Sequence, residues 1–85
     1  MTIFYGLELV DLKKGDKNTA VGVLQCLLNG RGFNCGAVDN SFGSKTEMAV
    51  LEANKAAGKI SKVCTIETWK YLINGKMEGF YDEWK

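Results

Sequence analysis

The chain has no histidine and no proline in 85 residues, and both absences exclude chemistry. Without an imidazole there is no Ser-His or Cys-His nucleophile pair and no His-based catalytic zinc. Three cysteines, Cys26, Cys35 and Cys64, are one thiolate short of an all-cysteine zinc site and have no metal-like spacing. Their odd number does not suit a disulfide framework. One bridge plus one free thiol remains open, but three reduced thiols is the favoured reading, with Cys26 a small buried apolar side chain. Charge of one sign is also missing: 11 Lys and Arg against 10 Asp and Glu leave +1, with no basic face for nucleic acid. No apolar run approaches the ~20 residues of a membrane span. The opening "MTIFYGLELVDL" lacks a basic stretch and carries Glu8 and Asp11, unlike a secretory signal.

What is present is an ordinary globular composition, 46% hydrophobic and 25% charged, enough for one small domain over residues 1–85. With no proline, glycine punctuates the chain. "LKKGDKNTAVGVLQCLLNGRGF" reads as loop, cap, helix and stop. Asp16 or Asn18 can cap it, Val21, Leu24 and Leu28 with Val23 and Leu27 form its apolar face, and Asn29-Gly30 is the expected left-handed exit. Gly22 weakens this helix by roughly 1 kcal/mol relative to alanine, which implies a close backbone approach.

"GRGFNCGAVDNSFG" is a loop expected to anchor itself through Phe33, Val38 and Phe42. Ser44 and Glu47 have capping-box spacing for a second helix, which runs to about Ala57 and stops at Gly58. Its stripe is Ala49, Val50, Ala53, Ala56 and Ala57, small enough for a neighbouring helix to come close. A third helix starts at Thr65, presents Ile66, Trp69, Leu72 and Ile73 on one face, and ends at Asn74-Gly75. The fold expected is all-α, a small three-helix orthogonal bundle with a core of 12–73. Residues 1–11, a short strand or extended arm, and 76–85, a one-sided aromatic turn, are terminal extensions. "TAVGVLQ" and "EMAVLEAN" both place Ala-Val four residues before a carboxamide, a faint internal echo.

Taken in order, Leu12, Gly15, Val21, Leu24-Gln25, Leu28-Asn29, Gly32-Phe33, Val38-Asp39, Phe42-Gly43, Thr46, Ala49-Val50 and Thr68-Trp69-Leu72 resemble the peptidoglycan-binding domain type 1 family. The likeness spans about 12–73. Three positions depart from it: the family's Asp-Gly is Asp39-Asn40, its Phe-Gln in the second helix is Ala53-Asn54, and its Asp-Gly-rich stretch before the third helix is Ser61-Lys62-Val63-Cys64. Asn tolerates a left-handed turn, so the first is mild. The second would leave a Phe-sized gap costing roughly 3–5 kcal/mol unless filled. Aromatics of the two ends, among Phe4, Tyr5, Phe80 and Trp84, are expected to cover Ala53.

The resemblance implies non-catalytic binding of bacterial peptidoglycan, as a glycan strand or stem peptide, on behalf of an associated or tethered wall hydrolase such as an endolysin or autolysin. It implies no cofactor and no metal. The site of action would be the cell wall, and the lack of an export signal fits either a fragment of a larger enzyme or a phage lysin that stays cytoplasmic until another protein releases it. It also implies a shallow groove at the start of the second helix, where free amides and a partial positive charge accept carboxylates. Candidate ligand-binding residues are Arg31, Asp39, Asn40, Ser41, Phe42, Thr46 and Tyr71, with Asn29 and Phe33 near the rim. For Asp39, Phe42 and Thr46 a structural job is the simpler reading; Asn40, Ser41 and Arg31 are needed less by the fold. Trp69 reads as core, Tyr71 as free to stack on a ligand, and Gln25 as the brace of a loop. A glycosidase needs two carboxylates flanking a deep cleft; Asp39, Glu47 and Glu52 are present, but the chain offers too little mass to wall one. The competing reading is a protein-interaction module on the same scaffold, its groove lost and its aromatic ends used for contact.

Overall fold

The computed structural model describes residues 3–4 and 7–74, with side chains over 9–73. Two short strands, β1 (Ile3–Phe4) and β2 (Leu7–Glu8), pair antiparallel with Ile3 opposite Glu8 and Phe4 opposite Leu7. Three helices follow, α1 (Thr19–Gly30), α2 (Ser44–Ala56) and α3 (Ile66–Asn74), each packed on the other two. The fold is therefore the three-helix all-α architecture the sequence leads one to expect. The aromatic side chains proposed to cover Ala53, and Gly75 beyond α3, lie outside the described residues; Ala53 itself is fully buried.

One core serves all three helices. Val21, Leu24 and Leu28 of α1, Val50 and Ala53 of α2, and Trp69 and Leu72 of α3 meet around Phe42 and Leu12. Each large side chain buried this way contributes on the order of 1.5–3 kcal/mol. Trp69 is buried as expected, and its indole N–H donates to the Val10 carbonyl at 2.8 Å, which ties the segment before α1 to α3. Leu12 and Cys64 exchange both backbone hydrogen bonds at 2.9 Å, a second tie between the same two regions.

Helix ends follow local rules more closely than the sequence pattern suggests. Asn18 caps α1, its Oδ1 accepting from Val21 N at 3.0 Å. The left-handed exit falls at Gly32 (φ 90°), two residues beyond the expected Gly30. There Phe33 N donates to Leu28 O and Gly32 N to Asn29 O, the paired bonds of a Schellman turn. The end of α2 repeats this at Gly58 (φ 91°), with Lys59 N on Asn54 O and Gly58 N on Lys55 O.

Four expectations are corrected. The Ser44–Glu47 capping box does not form: Gly43 is the cap, and no side chain bonds the first turn of α2. The buried stripe of α2 is Thr46, Ala49, Val50, Ala53 and Asn54, while Ala56 and Ala57, in the last turn before the Gly58 exit, are exposed. Val38 is 49% exposed, so the loop is anchored by Phe42, half-buried Phe33 and buried Cys35 instead. Cys26 is exposed on α1, whereas Cys35 and Cys64 are buried; all three are free thiols, and desolvation pushes the Cys64 thiol up.

The internal echo has a physical counterpart. Gln25 and Asn54 are both buried carboxamides, and each gathers the loop that follows its helix. Asn54 donates to the carbonyls of Ser61 (2.8 Å) and Val63 (3.0 Å) and accepts from the Thr68 hydroxyl (2.6 Å). Gln25 grips 39–41 and the Thr46 hydroxyl in the same manner, and Thr46 and Thr68 are each the third residue of their helix. Asn54→Ala would orphan two loop carbonyls and one hydroxyl. The variant should lose about 2–4 kcal/mol of unfolding free energy, read from urea denaturation followed by circular dichroism.

Candidate functional site

The candidate corner begins with Gln25, which is only 1% exposed. Its Oε1 accepts from the amides of Asp39 (3.0 Å) and Asn40 (3.1 Å). Its Nε2 faces Asp39 Oδ1 (3.1 Å), Ser41 O (3.0 Å) and Thr46 Oγ1 (3.0 Å). Two hydrogens serve three acceptors there, so one contact is shared. A single side chain of α1 thus fixes the backbone of three consecutive loop residues and the first turn of α2.

Asp39 closes its own turn as well, Oδ1 accepting from Ser41 N at 3.0 Å. The Gln25 amide and then the Ser41 N–H hold its carboxyl below the usual carboxylate range. Asn40 is the one described non-glycine residue with positive φ, 63°, and its side chain lies directly over Gly22. A β-carbon at position 22 would collide with the Asn40 carboxamide, which is the close approach that Gly22 implied. The arm before α1 completes the frame: Asn18 N donates to Asn40 O, Phe42 N to Asp16 O and Gly15 N to Phe42 O, at 2.9–3.0 Å.

Residues 39–41 therefore stand as a rigid ridge between two open depressions. One, of about 370 Å³, is lined by Lys17, Asn18, Thr19 and the ridge. The other, of about 350 Å³, lies across the start of α2 and is lined by Asp39, Ser41, Cys35, Ser44, Lys45 and their neighbours. A third hollow of about 350 Å³ continues past it to Asn34, Gly36 and Met48. Among the described residues no protein acceptor meets the amides of Ser44, Lys45 and Thr46, since the first bond of α2 is Glu47 N to Gly43 O.

The expected site residues separate into three groups. Asp39, Asn40 and Ser41 form the ridge, with Asp39 and Asn40 exposed and Ser41 half-buried. Phe42 and Thr46, at 1% and 2% exposure, support that ridge from inside, and Thr46 also forms part of the lining of the hollow at the start of α2. Arg31 and Tyr71 belong elsewhere: Arg31 donates through Nε to Leu72 O (2.6 Å) and through Nη2 to Ile73 O (2.8 Å), clamping the end of α3. Half-buried Tyr71 packs on Phe33, ring centroids 6.4 Å apart, instead of standing free. Asn29 bonds Cys35 N and Gly36 O and so shapes the loop beside the groove.

Lys45 and Lys17 line the depressions without having been singled out from the sequence. Lys45 had a signal: a cation in the first turn of a helix opposes the helix dipole, so the helix itself gains nothing from it. Among the described residues, no group of three or more Cys, Asp and Glu could hold a metal ion, and no helix is long and apolar enough to cross a membrane.

The Gly22–Asn40 contact reverses an ordinary rule. Gly→Ala inside a helix normally stabilises by up to ~1 kcal/mol. Gly22→Ala should instead destabilise by about 1–3 kcal/mol through overpacking. Asn40→Gly in the same chain should restore most of the loss, a coupling measurable in a denaturation double-mutant cycle.

No family model matches the chain, and no curated protein matches it. Among solved structures it is similar to the crystal structure of the SleB N-terminal domain, with a TM-score of 0.71 and 26% identity over 75% of this chain and 89% of that one.

Proposed function

We propose that this domain binds bacterial cell-wall peptidoglycan without cutting it and holds an associated or tethered wall hydrolase on its substrate. The observation that carries the proposal is the Asp39–Asn40–Ser41 ridge, fixed from beneath by Gln25 and flanked by a hollow on either side. A ridge between two hollows suits a chain-like ligand, which can seat successive units on both sides. The polar groups are already ordered, so binding does not have to freeze a loop. The ordered motif series of 12–73 and the likeness to the SleB N-terminal domain support the same reading.

The contacts proposed are Asp39, Asn40 and Ser41, joined by Ser44 and Lys45 on the α2 side. Arg31, Phe42, Thr46 and Tyr71 act behind them as clamps and packing. Catalysis does not fit these hollows: Asp39 is their one carboxylate, and wall-glycan hydrolysis needs a flanking pair. Contacts this few and exposed give weak affinity. A module of this kind works by linkage, converting the hydrolase's encounter with the wall into an intramolecular one. The domain would act in the wall.

Sedimentation with purified sacculi tests the proposal. The wild-type chain should pellet with the sacculi. Asn40→Gly with Ser41→Ala preserves the left-handed backbone and should reduce the pelleted fraction several-fold at unchanged helical circular dichroism. Absence of pelleting at both low and high salt would overturn wall binding and favour a protein partner.

A further inference from the structure

We infer that the groove across the start of α2 recognises a zwitterionic amino-acid unit of the wall's stem peptide, Asp39 receiving its ammonium and Lys45 its carboxylate. This rests on the wall-binding reading and goes further, because it selects peptide over glycan.

The inner and outer hollows at the start of α2 share Ser44 and Lys45, so they form one groove with Asp39 at one end and Met48 at the other. Asp39 uses Oδ1 for Gln25 and Ser41; its Oδ2 has no protein hydrogen-bond partner among the described residues. The same bonds hold the carboxyl below the usual carboxylate range, and Asp39 lines the groove with Oδ2 left uncommitted.

Lys45 is held at the groove by a different device. Gly36 has φ 84°, and a β-carbon there would sit 3.2 Å from Lys45 Cδ and 3.9 Å from Nζ. The lysine stem thus lies along a glycine backbone that leaves room for it. Lys45 makes no ion pair within 4 Å with Asp39 or any other described residue.

A cation and an anion therefore line one hollow without neutralising each other. Sugar hydroxyls and N-acetyl groups gain little from such a pair, since they carry no net charge. A polyanion would meet Asp39, and a polycation would meet Lys45, so each is disfavoured at one end. A unit bearing both an ammonium and a carboxylate is attracted at both ends and repelled at neither. Exposed Met48 beyond Lys45 adds an apolar contact for a short alkyl group on the same ligand.

The test uses the full ¹⁵N-labelled chain and three soluble probes. These are a muropeptide tripeptide ending in diaminopimelate, its counterpart amidated at the far carboxylate, and an uncharged N-acetylglucosamine oligomer. Amide resonances of 36, 39–45 and 48 should move with the first probe. Amidation should weaken binding about five- to tenfold, as expected for losing roughly 1 kcal/mol of charge contact at an exposed site. Lys45→Met, which keeps the stem over Gly36, should weaken the unmodified probe by a similar factor and leave the amidated one unaffected. Asp39→Asn keeps the Oδ1 acceptor and should weaken both. Equal shifts with the glycan oligomer, or indifference to both substitutions, would overturn the inference while sacculus pelleting still stands. Silence with all probes together with no pelleting would overturn the wall reading itself.

Discussion

Five hydrogen-bond contacts to one buried carboxamide hold the polar half of this domain together. Gln25 reaches from α1 to the amides of 39 and 40, the carbonyl of 41, the Asp39 carboxylate and the Thr46 hydroxyl. A loop of this composition would otherwise be free to wander, because glycine and asparagine lower the cost of many backbone conformations. No apolar contact could substitute for the carboxamide, since it satisfies backbone donors and acceptors that would be left bare at the edge of the core. The Gln25 amide is also the first cause of the depressed carboxyl of Asp39, and its bonds to 39–41 hold the left-handed turn at Asn40 in place.

Much of this was legible in the residues because it depends on backbone rules. Gly22 inside a helix announced a close neighbour, and the neighbour is the Asn40 side chain. Gln25 announced a brace, Asp16 or Asn18 a cap and Trp69 a core position; the structure places the brace and the core residue accordingly and takes Asn18 as the cap. Three helices were readable from apolar spacing. The atypical Ser61–Cys64 stretch is held by Asn54 through carbonyls, which every residue supplies, while Cys64 packs into the core and the Ser61 hydroxyl accepts from Val63 N.

What was not legible depends on where side chains travel in three dimensions. Arg31 sits beside the glycine-rich loop in sequence, yet its guanidinium is 41 residues away on the Leu72 carbonyl. Cys26 looks apolar but lies on the outer face of α1, a matter of helix rotation that one residue cannot reveal. Ser44 and Glu47 had the spacing of a cap, but Gly43 took the position, and the first-turn amides stayed open. The same failure leaves an unsatisfied helix start facing the groove, so the local rule breaks where the candidate site lies.

The two carboxamides also determine how the domain comes apart. Because α2 supplies Thr46 to the first helix-loop-helix unit and Asn54 to the second, the two units overlap in one rod and share no boundary. Neither unit is a complete object when cut away from the other. A recombination breakpoint between Thr46 and Asn54 would leave each loop its own carboxamide but divide the apolar core that all three helices share, so exchange among larger proteins should carry these residues as an indivisible cassette.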